Sequence, residues 1–308
     1  EVHNQDGWTS GHGSSMCPLY DVELVSNTYG YTSFGTKSLR ISNAITCGSF
    51  NDHTFSRSLP NEAGEISAST STFSGGARQT YFESSWDFAS TQTGSEQVGL
   101  SIVANPNRGD TTRMSWVQMQ DTPTGLQVNF QEYQHSILNF VTTPIGINLS
   151  RAIKHTLKIT TNFIDGISND VVKIYLDGAL VHTGTTWEDY YRDFAGGFPH
   201  AVDSTMFRLA GTAAPANLGK GLFIDNFSVM TGPVPVAPAT LHIIKLVVNS
   251  SGGSALPINF NVNVKLSGSN VTGSPAIGTS TPGTLYTLSP GTYVVSENSD
   301  PLYTQSFL

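Results

Sequence analysis

Glu83 and Asp87 are the first residues to weigh for chemistry. Read as a strand, RQTYFESSWDFAS (residues 78 to 90) turns Phe82, Trp86 and Phe88 to one side and Tyr81, Glu83, Ser85 and Asp87 to the other. Two carboxylates on one face invite an acid/base reading, so their separation decides. At about 3.3 Å per residue they stand about 13 Å apart, whereas glycosidases pair carboxyl groups about 5 to 9.5 Å apart. Glu83 is thus a catalytic candidate only with a partner from another strand. Without one, Tyr81, Glu83 and Asp87 form a polar binding face.

Other stretches repeat the pattern. Trp116, Gln118 and Gln120 share one face of a strand, Asn129, Gln131 and Tyr133 one face of the next, and Met206 and Arg208 one face of another. Amides donate and accept together, as sugar hydroxyls do, and aromatic rings offer flat apolar faces to sugar C–H surfaces. A lyase would use similar types, with Arg or Gln neutralising a uronate and Tyr or His moving the proton. Trp187, Tyr190, Tyr191 and Arg192 make the densest aromatic and basic cluster, which either caps the core or presents a recognition surface. The expected ligand contacts are Tyr81, Glu83, Asp87, Trp116, Gln118, Gln131, Tyr133, Trp187, Tyr191 and Arg208.

Several chemistries lack support. The sequence contains no G-x-S-x-G elbow, no HExxH helix and no phosphate-cradling glycine loop. Calcium is the cofactor that it offers. Asp225 and Asn226, and the loop residues Asp165, Asn169 and Asp170, carry hard oxygen ligands, with Asp225 the leading metal candidate. Cys17 and Cys47 match no zinc or redox spacing, and in an exported protein they are expected to form a disulfide.

The elements that must hold these residues are strands. Period-2 stretches recur at 38–46, 79–88, 98–103, 113–119, 126–133, 154–163, 171–176, 179–183, 205–209 and 222–229. Asp177-Gly178 predicts a two-residue type I′ hairpin, because both central residues need positive φ. Only Trp187 to Phe194 suits a helical turn, with Thr186 as its N-cap. The expected fold is all-β, a β-sandwich or jelly roll over residues 1–232. PVPVAPA at 233–239 then favours an extended spacer. Strands resume at 240–248, 260–266, 284–288 and 292–297, which predicts a small accessory sandwich over 240–308.

Composition narrows the partners. With 15 Lys plus Arg and a net charge of −8, the chain lacks the clustered positive charge that nucleic acid requires. No run of about eighteen apolar residues exists to span a membrane. The low charged fraction, 12%, with Gly, Ser, Thr and Asn filling the difference, matches secreted or cell-surface β-proteins.

NDVVKIYLDGALVHTGTTWEDYYRDF, followed by VDSTMFRLAGTAAPANLGKGLFIDNFSV, resembles the concanavalin A-like lectin/glucanase (laminin-G-like) jelly rolls of bacterial secreted proteins. That resemblance covers about residues 36 to 231 and implies a fold that hosts lectins, hydrolases, lyases and structural modules alike. The family's hydrolases carry Glu-x-Asp-x-x-Glu on one strand, and ESSWD departs from it at the third position. The tail resembles the prealbumin-like or Cna-B-like domains of bacterial surface proteins. This implies that Lys245 and Glu297 occupy the lysine and glutamate positions of an isopeptide bond, and that other modules of a surface protein adjoin it. The expected function is extracellular glycan recognition. The alternatives are a polysaccharide-cleaving hydrolase or lyase that uses Glu83, and a structural surface module.

Overall fold

The computed structural model describes residues 7–12, 20–26, 31, 33–46, 52–69, 76–109 and 112–307. The chain divides into two compact units, residues 1–234 and 235–308. Cys17 and Cys47, expected to pair, lie outside the described residues.

The first unit is a jelly-roll β-sandwich of two seven-stranded antiparallel sheets. The first sheet runs, in spatial order, Thr9–His12, Asp52–Phe55, Ser204–Leu209, Ser101–Asn107, Trp116–Thr122, Gly125–Gln134 and Asn139–Leu149. The second runs Ala179–Gly184, Val171–Leu176, His155–Asn162, Tyr81–Ser90, Leu222–Gly232, Lys37–Ile41 and Val22–Ser26. Period-2 patterning builds the core. Trp86 and Phe88 from the second sheet meet Val117, Met119 and Phe207 from the first in one buried cluster. Trp86 and Phe207 contact edge to face, with centroids 5.5 Å apart. Burying each such side chain stabilises the fold by about 1.5–3 kcal/mol, which sets the inward face of every strand.

The Asp177-Gly178 turn forms as expected. Asp177 and Gly178 take φ of 51° and 83°, and Leu176 pairs with Ala179 across them. The helical turn also forms, as Glu188–Phe194, but Trp187 rather than Thr186 occupies its cap position and makes no side-chain cap bond. Thr186 sits one residue earlier, where its Oγ1 accepts the Glu188 N–H at 3.1 Å and donates to Asp170 Oδ2 at 2.7 Å.

One long strand, Asn139–Leu149, has no counterpart among the expected elements. It lies at the edge of the first sheet and carries Pro144, which an edge strand tolerates because one row of its N–H groups faces away from the ladder. Its largely exposed face lacks the alternation that marks half-buried strands.

In the second unit, Ala239–Ile243 pairs with Thr284–Leu288, and Asn261–Leu266 pairs with Tyr293–Glu297. Its core is small and centres on Val264, Tyr286 and Leu288. Lys245 and Glu297 meet here: Lys245 Nζ stands 2.6 Å from Glu297 Oε2 and 4.3 Å from the centroid of the Phe260 ring.

Candidate functional site

The outward face of the first sheet carries a ladder of amides. Because Val117, Met119, Leu126, Val128 and Phe130 point into the core, Gln118, Gln120, Gln127, Asn129 and Gln131 must point out. Register places Asn129 opposite Gln118, and Gln131 opposite Trp116. The amides bond sideways. Asn129 Nδ2 donates to Gln120 Oε1 at 2.9 Å, Gln127 Nε2 to Asn129 Oδ1 at 2.7 Å, and Gln118 Nε2 to Ser101 Oγ at 2.8 Å. Each amide nitrogen carries two protons and each oxygen two lone pairs, so this network orients the side chains without exhausting them.

At its Trp116 end the ladder meets a pocket of about 400 Å³. Four segments build the walls: Arg113 and Trp116, then Gln131, then Phe140 from the edge strand, then Trp187, Tyr190 and Tyr191 around the helix start. Trp187 holds the corner. Its Nε1 donates to the Gln131 carbonyl at 3.1 Å and its ring meets Phe140 edge to face at 4.6 Å. The Arg113 guanidinium carbon lies 5.2 Å from the Trp187 ring centroid and 5.8 Å from that of Trp116, within cation–π range. Tyr191 anchors the Arg113 backbone from both sides, donating its hydroxyl proton to the carbonyl at 2.7 Å and accepting the N–H at 3.1 Å. Burial pulls the Arg113 guanidinium below its usual pKa range, yet a guanidinium stays charged at neutral pH.

Aromatic faces, one guanidinium and a row of amides can therefore act together on one ligand. Among the described residues, none that lines this pocket is a carboxylate.

No family model matches the chain, and no curated protein matches it. Solved structures do. The chain is similar to an endo-β-1,4-glucuronan lyase from the fungus Trichoderma reesei, at 15% identity over 72% of this chain and 94% of that one, with a TM-score of 0.42. It is similar to an alginate lyase from Pseudomonas aeruginosa, at 7% identity over 74% of this chain and 100% of that one, with a TM-score of 0.44. It is also similar to a carbohydrate-binding module from Bacillus subtilis, at 16% identity over 74% of this chain and 98% of that one, with a TM-score of 0.33. Likenesses at this level assign no residue and no activity.

The fold divides the residues expected to share one site. Trp116, Gln118, Gln131, Trp187 and Tyr191 come together on the first sheet or against its end. Tyr133 shares that face but is only 2% exposed, packed against Phe140 and Tyr190. Arg208 also belongs to the outward face of the first sheet and is 1% exposed, so it offers a ligand no surface. Tyr81, Glu83 and Asp87 stand on the outward face of the second sheet, across the whole core from the ladder. The expected grouping of Glu83 with Gln118, Gln131 and Arg208 is corrected accordingly. Alternation sets which side chains face out, but not which sheet a strand joins.

Nor is the Tyr81 face the open groove that its alternation suggests. Tyr81 and Asp87 are buried, and Glu83 Oε2 accepts the Tyr81 hydroxyl at 2.5 Å with Lys158 Nζ 4.0 Å away. Burial, reinforced by the Glu83 hydrogen bond and charge, pushes the Tyr81 phenol up. Asp225, the leading calcium candidate, has its oxygens engaged by Ser38 Oγ at 2.5 Å and by the Asn226 N–H at 2.7 Å. Arg113 and Phe140 escaped the sequence reading. Arg113 opens the stretch 113–119 read as a strand, where alternation turns it away from Trp116, whereas the strand begins only at Trp116; Phe140 lies on the unrecognised edge strand.

Asp87 yields a pH prediction. Burial alone would raise its carboxyl pKa, but donation from Lys154 Nζ at 2.7 Å, Thr156 Oγ1 at 2.5 Å and Asn226 Nδ2 at 2.7 Å holds it below the usual range. A depressed folded-state pKa contributes stability above the unfolded value of about 3.9, and loses it as pH falls through the folded value. Asp87→Asn is expected to melt below the parent near neutral pH, with the gap closing under acid conditions. Parallel melting-temperature profiles against pH check this; a gap that stays constant refutes it.

Proposed function

We propose that the first unit is a glycan-recognition module of a secreted or cell-surface protein, and that it binds its ligand in the Trp116/Trp187 pocket and along the amide ladder. One observation carries this reading: aromatic rings, a guanidinium and the Gln131 amide converge on one open pocket, and the hydrogen-bonded amides of Gln118, Gln120, Gln127 and Asn129 continue from it along the same sheet face. A sugar ring presents a C–H face and an equatorial rim of hydroxyls. Trp116, Phe140 and Tyr190 suit the former, and Arg113, Gln131 and Gln118 the latter. Affinity per site is expected to be modest, because sugar hydroxyls exchange water for protein partners at small net gain.

The test is a panel of soluble and insoluble polysaccharides, scored for retention of the protein and for release of reducing or unsaturated ends. The expected result is retention without release. Trp116 is partly exposed but packs against the buried cluster around Trp187, so Trp116→Ala is expected to weaken retention about tenfold to a hundredfold, the loss of one stacking contact of about 1.4–2.8 kcal/mol, with a smaller drop in melting temperature than truncation of a fully buried ring would cause. Unaltered retention in this variant would dispose of the pocket, and product release would replace recognition with cleavage.

A further inference from the structure

Behind the pocket wall, three buried acids converge from three segments. Glu65 lies in a loop, Asp170 directly precedes Val171–Leu176, and Glu188 opens the helix. One carboxylate oxygen from each lies within 4.8 Å of the others, and the three residues are 2%, 3% and 0% exposed. Most of their oxygens have donors. Glu65 Oε2 accepts from Gly166 N at 3.1 Å and from Arg192 Nη2. Glu188 Oε1 accepts the N–H groups of Asn169 and Asp170, each at 3.0 Å. Asp170 accepts Ile164 N at 2.8 Å and Thr186 Oγ1 at 2.7 Å.

Three oxygens are left over. Glu65 Oε1, Glu188 Oε2 and the neighbouring Asn169 Oδ1 are all shielded from solvent and receive no hydrogen bond among the described residues. The Glu65 and Glu188 side chains are 0% and 1% exposed, and Glu188 Oε2 has only Arg192 Nη2, 3.6 Å away. A buried oxygen without a donor costs about 1–3 kcal/mol, and more when it is charged. The charge is out of balance too: Glu65, Glu188 and the adjacent Asp189 all lie within ion-pair range of the single guanidinium of Arg192, and Asp170 adds a fourth carboxylate. Burial, then mutual repulsion, raises the carboxyl pKa of both Asp170 and Glu188.

The geometry points to a calcium site formed by Glu65, Asp170 and Glu188, with Asn169 at its margin. The donors are all hard oxygens, and a span within 4.8 Å matches two calcium–oxygen bonds of about 2.4 Å each. Magnesium, with bonds of about 2.0–2.1 Å and reluctant dehydration, suits such a dry set less well. Asp170 and Asn169 belong to the oxygen-rich loop that the sequence offered for calcium, whereas Glu65 and Glu188 do not. Because Glu188 follows Trp187 and opens the helix that carries Tyr190 and Tyr191, the bound cation would also brace the pocket wall. That consequence rests on the glycan-binding reading; the site itself does not.

The experiment compares melting temperatures of the whole chain, stripped with a chelator, before and after addition of millimolar calcium or magnesium. Calcium at about a hundred times its dissociation constant is expected to raise the midpoint by about 5–10 °C, and magnesium by less. Glu188→Gln keeps the shape and removes the charge; it is expected to fold without calcium and to show no calcium shift. Glu65→Gln serves as the second variant, and calorimetric titration with calcium alone should read one site per chain in the parent and none in either variant. Equal midpoints in calcium and chelator, or a full calcium shift in both variants, would overturn the site. A calcium shift in a protein that retains no polysaccharide would support the site and remove the glycan reading alone.

Discussion

Trp187→Ala is expected to lower stability by about 3–5 kcal/mol and to abolish polysaccharide retention. Trp187 is 3% exposed and joins three parts of the first unit. Its backbone N–H donates to the Met114 carbonyl at 2.6 Å, its indole N–H reaches the Gln131 carbonyl, and its ring packs against Phe140 and under Arg113. Truncation to a methyl group leaves a cavity that rigid strands on two sides cannot close, and removes one donor from the Gln131 carbonyl. Denaturant unfolding followed by far-UV circular dichroism measures the first effect, and the retention assay the second. A loss below about 1 kcal/mol would mean that the ring is dispensable to the pocket corner.

Tyr191→Phe is the sharper test, because it removes one oxygen atom. That hydroxyl holds both the N–H and the carbonyl of Arg113, and Tyr191 is buried. Phenylalanine keeps the edge-to-face contact with His200, whose ring centroid lies 4.3 Å away, so packing should survive. Two backbone groups then lose their partner, at about 1–3 kcal/mol for each that stays buried, and a net loss of about 2–4 kcal/mol is expected. The released segment carries Arg113, so retention should weaken even where the variant is fully folded. Unchanged stability together with unchanged retention would show that Arg113 is held in place without the Tyr191 hydroxyl.

Much of the fold was legible because a strand's inward and outward faces are written in its own residues. Val117 and Met119 against Trp116 and Gln118, or Trp86 and Phe88 against Glu83 and Asp87, need no tertiary information to sort. The Asp177-Gly178 turn was legible for a similarly local reason, since few residue pairs accept positive φ in succession. The edge strand Asn139–Leu149 was illegible because exposure on its outer side erases the alternation, and Pro144 argues locally against a strand.

The amide and aromatic residues were thus marked out as candidate ligand contacts by identity and alternation alone, each within about ten residues of chain. Their assembly was not. Whether the strand of Glu83 or that of Gln131 lies beside Trp116 depends on which sheet each joins, and long-range pairing settles that through burial of both faces of the core. The same holds for Glu65, Asp170 and Glu188, which are far apart in sequence and share no periodicity. Only the packing of a loop, a strand start and a helix start brings their charges within reach of one cation.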